Sequence, residues 1–80
     1  MNDMKRDQVR KVILNLIKNG CTKYTEIEYN ATVKCIAFGT RNVVVRQFYK
    51  YLVARGFIER VSRGRYRLTK KGESLLAVLS

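Results

Sequence analysis

The stretch from residue 57 to residue 69 constrains the fold of this chain most strongly. Ile58 opens an apolar arm, and residues 62–65, Ser-Arg-Gly-Arg, supply a tight turn. Tyr66 and Leu68 follow at a spacing of two, the spacing at which side chains point to the same face of a strand. The stretch therefore predicts a two-stranded hairpin.

A helix is predicted directly after this hairpin. Thr69 stands where a helix N-cap belongs, and Glu73 lies early in the segment that runs to Leu79. Gly72 falls within the first turn of this helix. We expect it to weaken the start of the helix by about 1 kcal/mol relative to alanine.

The N-terminal segment predicts a helix from residue 3 or 4 to residue 19. Asp3 and Asp7 near its start and Lys18 near its end complement the helix dipole, and Gly20 can end it. The apolar side chains that recur at the spacing of one helical face are Val9, Val12, Ile13, Leu16 and Ile17. This face is expected to be buried.

The segment between this helix and residue 40 predicts two short elements. Residues 21–29 alternate in a way that suits a short strand. Asn30 or Thr32 can then cap a second helix that runs through Phe38 and ends at Gly39. The side chains expected to face inward from this helix are Val33, Ile36 and Ala37.

A third helix is predicted from residue 41 to residue 55, with Thr40 as its N-cap and Gly56 after its end. We take Val45 as the centre of the buried face and advance by about 100° per residue. The side chains that then lie beside it are Phe48, Tyr49 and Leu52. The side chains on the opposite, exposed face are Val43, Arg46, Gln47, Lys50 and Ala54.

The charge of the chain points to a polyanionic partner. Seventeen lysine and arginine residues outnumber six aspartate and glutamate residues, which gives a net charge of +11. Residues 40–68 hold eight basic residues and one acidic residue, a net charge of +7. Such an excess repels itself in the folded state, so an anionic partner that neutralises it is favoured.

Other classes of protein find little support in the sequence. Histidine is absent, no serine or cysteine has a plausible neighbouring base, and no glycine-rich phosphate loop occurs, so an enzyme is disfavoured. Cys21 and Cys35 cannot complete a zinc site, and we expect two ordinary thiols rather than a disulfide, with no cofactor or metal. No membrane-spanning or signal segment is recognised, which predicts a cytoplasmic protein, in the cytoplasm of a host if a virus or plasmid encodes it.

The order of predicted elements and three short motifs resemble the winged helix-turn-helix family. The motifs lie within residues 33–76 and are Phe-Gly at 38–39, LVARGFI at 52–58 and LTKKG at 68–72. They are similar to those of small bacterial and archaeal regulators of the multiple-antibiotic-resistance-regulator and phenolic-acid-regulator kinds. The resemblance implies one α+β domain over residues 1–80, with a three-helix core, a short strand, a hairpin called the wing, and a C-terminal helix.

The resemblance also implies where DNA would bind. The third helix would enter the major groove, where arginine can pair with guanine, asparagine or glutamine with adenine, and valine can touch a thymine methyl group. The residues expected to contact DNA from this helix are Thr40, Arg41, Asn42, Val43, Arg46, Gln47 and Lys50. The wing adds four arginines that can reach phosphates or the minor groove, namely Arg60, Arg63, Arg65 and Arg67.

The aromatic residues have two possible roles. They could stack on the bases of single-stranded nucleic acid, but core packing is the default for those at positions that the fold must fill. The residues expected in the core are Phe38, Phe48, Tyr49, Phe57 and Tyr66. The roles of Tyr24, Tyr29 and Tyr51 are left open.

Apolar residues at both ends of the chain predict a homodimer that forms through the N- and C-terminal helices. Leu75, Leu76, Val78 and Leu79 cover more than one stripe of the last helix, although packing within one chain is the alternative. In a dimer, two third helices about 34 Å apart would match a pseudo-palindromic DNA site.

The sequence therefore predicts a sequence-specific protein that binds double-stranded DNA and regulates transcription. Two alternatives stay open, because a fold does not fix a function. One is a winged helix that binds RNA or another protein. The other is a less specific protein that shapes DNA architecture.

Overall fold

The computed structural model describes residues 3–36 and 41–79. Within them the helices are α1 (Asp3–Lys18), α2 (Tyr24–Lys34), α3 (Arg41–Arg46) and α4 (Lys70–Leu79), and the strands are β1 (Ile58–Ser62) and β2 (Arg65–Leu68). A π-helical segment, Gln47–Val53, continues α3 directly, and we call the two together the third helix. The predicted α+β arrangement of helices around one hairpin is confirmed.

The extent of helix α1 agrees with its prediction, and the helix supplies much of the core, but Val12 and Leu16 are only partly buried while Leu14, not predicted on this face, is fully buried. Val9, Ile13, Leu14 and Ile17 are buried, because they fall on adjacent stripes of one helical face. The helix ends at Gly20, whose positive φ of 100° suits glycine. The N–H of Gly20 donates to the carbonyl of Ile17, and the next N–H donates to the carbonyl of Leu16, the pair of bonds that closes a Schellman cap.

The predictions for residues 21–36 are wrong in phase and extent. Helix α2 begins at Tyr24, and its buried residues are Ile27 and Ala31, followed by buried Cys35 just after the helix. Val33 and Ile36, which were predicted to face inward, are 53% and 80% exposed. The spacing of four between Ile27, Ala31 and Cys35 is a helical signal that the alternation of polar residues obscured. The predicted residues 37–39 lie outside the described residues.

An isolated β-bridge, in the segment that was predicted as a strand, joins the start of α2 to the hairpin. Lys23 forms an isolated antiparallel bridge with Arg65. The N–H of Tyr24 donates to the carbonyl of Gly64 over 2.8 Å, and the N–H of Tyr66 donates to the carbonyl of Thr22 over 3.0 Å. The turn of the hairpin therefore lies beside the start of α2.

The buried face of the third helix is predicted in part. Phe48 and Leu52 are buried as predicted, but Val44 is buried in place of Val45, the predicted centre of that face, which is only half-buried. Because residues 43–45 are all valine, the sequence does not show which of the three side chains faces the core. The π-helical turns then align residues five apart, so that Gln47 and Leu52 both face the core.

The hairpin and α4 form as predicted. Ile58 is opposite Leu68, and the register shifts between Arg60 and Ser62 because the strand carries a bulge there. Gly64 adopts a positive φ of 72° at the turn. The hydroxyl oxygen of Thr69 accepts a hydrogen bond from the N–H of Gly72 over 3.0 Å and so caps α4.

Gly72 has a packing role that its helix propensity does not reveal. A side-chain carbon at this position would overlap the backbone carbonyl of Phe57. The Thr69 hydroxyl donates to the carbonyl of Gly56 over 2.6 Å, so the start of α4 lies close against the end of the third helix. The expectation that alanine would be better here is wrong, because only glycine allows this close approach.

Every helix and the hairpin contribute to one core. Tyr24, Phe48, Tyr49 and Tyr66, which we call the aromatic cluster, join α2, the third helix and β2 through ring centroids 4.9–6.4 Å apart. Tyr49 was expected in the core. Its ring packs in this cluster, but the residue is 41% exposed. Tyr29 is exposed, and Tyr51 stacks on Phe57.

The two cysteines, Cys21 and Cys35, are free thiols. Burial is the largest cause that raises the pKa of each thiol. A raised pKa keeps a thiol protonated and unreactive.

In the part of the chain that the structure describes, no helix is both long enough and apolar enough to cross a membrane.

Candidate nucleic-acid interface

Three polar side chains of the third helix point to solvent at a spacing of four. Asn42, Arg46 and Lys50 are all exposed, and we call them the outer face. Among the described residues, no hydrogen bond or ion pair engages these three side chains. The third helix also contains no acidic residue. The outer face therefore presents two cations and one amide that are available to a ligand.

Arg41, at the start of the same helix, is held differently. Its side chain is 74% exposed, but its Nε donates to a carboxylate oxygen of Glu28 on α2. The Glu28 side chain is only 16% exposed. Arg41 lies at the predicted surface, with its charge offset by this neighbour.

Gln47 does not lie on the exposed face, and that prediction is wrong. The residue is 6% exposed, and its Oε1 accepts a hydrogen bond from the Nε of Arg10 over 2.8 Å. The guanidinium of Arg10 also lies 3.4 Å from the ring centroid of Tyr51 and 3.3 Å from a carboxylate oxygen of Asp7. Gln47 thus links the third helix to α1 rather than to solvent.

Val43, another predicted contact residue, does not belong to the outer face. Val43 is partly buried and packs against the core, so its side chain is not directed at a ligand as predicted. Thr40 lies outside the described residues.

The hairpin presents its four arginines to solvent, two of them with partners. Arg67 pairs across the strands with Glu59, and the Nε of Arg60 donates to the carbonyl of Ser62 over 3.3 Å. Arg63 and Arg65 are exposed at the turn. Among the described residues, neither of these two side chains has a carboxylate partner. The strongest unbalanced positive charge of the hairpin is therefore at its tip.

The aromatic cluster holds the hairpin and the third helix together. Tyr66 of β2 meets Phe48 edge to face at 4.9 Å, and Tyr24 meets Phe48 in the same way at 5.0 Å. Burial and, next, a hydrogen bond with Tyr66 raise the pKa of Tyr49. Burial and, next, a hydrogen bond with Glu28 raise the pKa of Tyr24. These hydroxyls stay neutral and serve as fixed hydrogen-bonding groups.

Sequence reasoning missed two residues of this surface. Lys23 is exposed and lies beside the hairpin tip through its bridge to Arg65. Glu28, on α2, pairs with Arg41 at the start of the third helix. Neither position carries a local signal, because each contact joins residues that are far apart in the chain.

Comparisons with known proteins agree with this arrangement. A family model described as winged helix-turn-helix matches residues 5–80, which include the third helix, the hairpin and α4. No match was found among curated proteins or among solved structures. The match covers nearly the whole chain and confirms the resemblance seen in the sequence.

Proposed function

The chain belongs to the winged helix-turn-helix family, a family of DNA-binding domains, and we propose that it binds double-stranded DNA sequence-specifically as a transcriptional regulator. One observation carries this proposal. The outer face of the third helix, which has no acidic residue, and the arginines at the hairpin tip are held in one unit by the aromatic cluster. The proposed role involves no catalytic step, and we place it in the cytoplasm, on nucleoid DNA.

In the proposed complex, the outer face enters the major groove. An α-helix fits this groove, and side chains near its N-terminal half meet base edges. Arg46 would pair with the O6 and N7 atoms of a guanine, and Asn42 with an adenine, because each side chain can make two hydrogen bonds to that base. Lys50, further along the helix, would bind a phosphate as a point charge.

The hairpin tip supplies contacts that do not depend on sequence. Arg63 and Arg65 would bind phosphates or enter a narrow minor groove, where the electrostatic potential is most negative. Lys23, next to the tip, adds a third cation. Arg41 and Arg67 contribute less in this proposal, since each already faces a carboxylate. Such contacts fix the orientation of the protein, and the outer face reads the bases.

Double-stranded DNA is favoured over RNA by the shape of the surface. The major groove of an A-form duplex is too deep and narrow for a helix to read its bases. A convex helix that carries the base-reading groups therefore suits B-form DNA.

The proposal is tested by selecting bound sequences from random duplex DNA and by measuring affinity over a range of salt concentrations. We expect an enriched motif, and log K should fall with log salt by about 0.9 for each phosphate contacted. RNA duplexes of equal length should bind more weakly. Equal affinity for RNA, or selection that enriches no motif, would contradict sequence-specific DNA binding.

We further propose that two chains pair through α1 and α4. Val78 on α4 is 79% exposed, and Leu75 and Leu79 beside it are only partly covered by the core. A second copy would cover this apolar surface and present two third helices to a pseudo-palindromic site.

The pairing is tested by sedimentation of two matched variants. Val78→Glu should convert a dimer to a monomer, because it places a charge in the proposed interface. Val33→Glu, on the exposed side of α2, makes the same chemical change outside that interface. A monomeric wild-type protein, or equal effects of the two variants, would show that the terminal helices do not form the dimer.

A further inference from the structure

The contact between Glu28 and Arg41 joins a nearly buried acid to an exposed base at the edge of the proposed DNA surface. Arg41 is the first residue of α3, five residues before Arg46, and its Nε donates to Oε1 of Glu28. Glu28 lies on α2, thirteen residues earlier. The positive charge of Arg41 is thus balanced before any DNA arrives.

Glu28 is anchored by a second contact, whereas Arg41 is not. The hydroxyl of Tyr24 hydrogen-bonds to Glu28, and Tyr24 packs in the aromatic cluster. Among the described residues, Arg41 has only the Glu28 carboxylate as an ionic partner. The acid therefore lies against the core, and the arginine is the exposed member of the pair.

The ion pair with Glu28 contributes little to the stability of the fold. An ion pair with one exposed member typically contributes about 0–1 kcal/mol. A phosphate contact gains from the release of a condensed counterion, but an arginine that is already balanced by a carboxylate brings no net charge to the DNA.

We propose that Glu28 is a positioning residue that competes with the DNA backbone for Arg41 and so withholds one phosphate contact from the complex. This inference rests on the proposed DNA binding. It assigns to Glu28 a role in setting how strongly the protein binds DNA of any sequence. A protein with a net charge of +11 would otherwise bind random DNA more tightly and leave it more slowly.

The test compares Glu28→Gln with Glu26→Gln on random-sequence duplex DNA at roughly 50 to 300 mM salt. Both changes remove one negative charge from α2, but Glu26 is exposed and has no ionic partner among the described residues. Glutamine at 28 keeps an oxygen that can accept the hydrogen bond of Tyr24. We expect Glu28→Gln to steepen the salt dependence by about 0.9 and to raise affinity roughly fivefold near 0.15 M salt. Glu26→Gln should change the slope far less.

Arg41→Ala and the double variant Glu28→Gln/Arg41→Ala complete the cycle. Arg41→Ala alone should leave the slope nearly unchanged, and in its presence Glu28→Gln should lose its effect. If Glu28→Gln destabilises the fold, the unchanged slope of Arg41→Ala still tests the idea.

Three outcomes would overturn the inference while DNA binding itself stands. They are equal effects of the two glutamine variants, an effect of Glu28→Gln that persists without Arg41, and a shallower slope for Arg41→Ala. Failure of the proposed function is distinguishable, because the wild-type protein would then show no salt-dependent binding to duplex DNA at all.

Discussion

The third helix and the hairpin both carry several cations, but they hold these residues in different ways. In strand β2, the alternation of residues decides which side chains are exposed, since Tyr66 faces the core and its neighbours Arg65 and Arg67 face solvent. In the third helix, Arg46 points out while adjacent Gln47 is buried against Arg10. Polar character alone therefore identifies the exposed residues of β2 and fails to identify those of the helix.

The physical reason lies in the period of each element. A strand has a period of two, so a single buried aromatic residue fixes the face of every other residue. The buried face of a helix can be predicted only when apolar residues recur along one stripe. The three valines at 43–45 extend over more than one stripe, so the buried face is not defined by the sequence. The π-helical segment then changes the number of residues per turn, which shifts the buried face again.

The largest effect expected from this comparison comes from the hairpin tip. Replacing Arg63 and Arg65 together with alanine should weaken binding to all DNA sequences roughly 30-fold near 0.15 M salt, because two phosphate contacts are lost. The salt slope should become shallower by about 1.8. Fluorescence anisotropy with specific and random duplexes at several salt concentrations measures both quantities.

A matched control removes the same charge elsewhere. Lys18→Ala/Lys70→Ala lowers the net charge by the same amount, at exposed positions on α1 and α4. It should change the slope much less than the hairpin variant does. If the two double variants behave alike, the hairpin acts only through net charge and makes no direct contact.

The next effect separates base reading from phosphate binding on the outer face. Arg46→Ala should lower discrimination between specific and random DNA by about 1–2 kcal/mol, because a bidentate contact to guanine is lost. Lys50→Ala should weaken both kinds of DNA equally, since a phosphate contact carries no sequence information. An equal loss on both kinds of DNA for Arg46→Ala would reassign that residue to the backbone.

The smallest effect on DNA recognition is expected for Gln47, although its side chain has the chemistry to read adenine. Gln47→Ala should leave discrimination unchanged, because the side chain is buried against Arg10. It should instead lower the free energy of unfolding by about 1–2 kcal/mol, since the Nε of Arg10 loses its acceptor. Thermal unfolding would detect this, with exposed Lys50→Ala as the control expected within about 0.5 kcal/mol. Lost discrimination with unchanged stability would restore Gln47 to the DNA-reading face.

Much of the architecture was readable from local patterns. Helix α1, the hairpin and the Thr69 cap of α4 were predicted within a residue or two, because each carries strong periodicity together with a glycine or a capping residue. The basic character of the proposed DNA-binding surface followed from residues 40–68. Helix α2 was misplaced, because the alternating residues 24–29 suit a strand in isolation and become helical only when Ile27 packs in the core.

The sequence by itself determined the class of the molecule: one basic domain with helices around a hairpin, in which the two-residue period of β2 places Arg65 and Arg67 in solvent. Only the tertiary structure decided which polar groups are available. Arg10 reaches Gln47 across 37 residues, Glu28 reaches Arg41 across 13, and the carbonyl of Phe57 excludes any side chain at position 72. Such contacts depend on how whole elements pack, and no local pattern of charge or hydrophobicity encodes which distant side chain a given residue will meet.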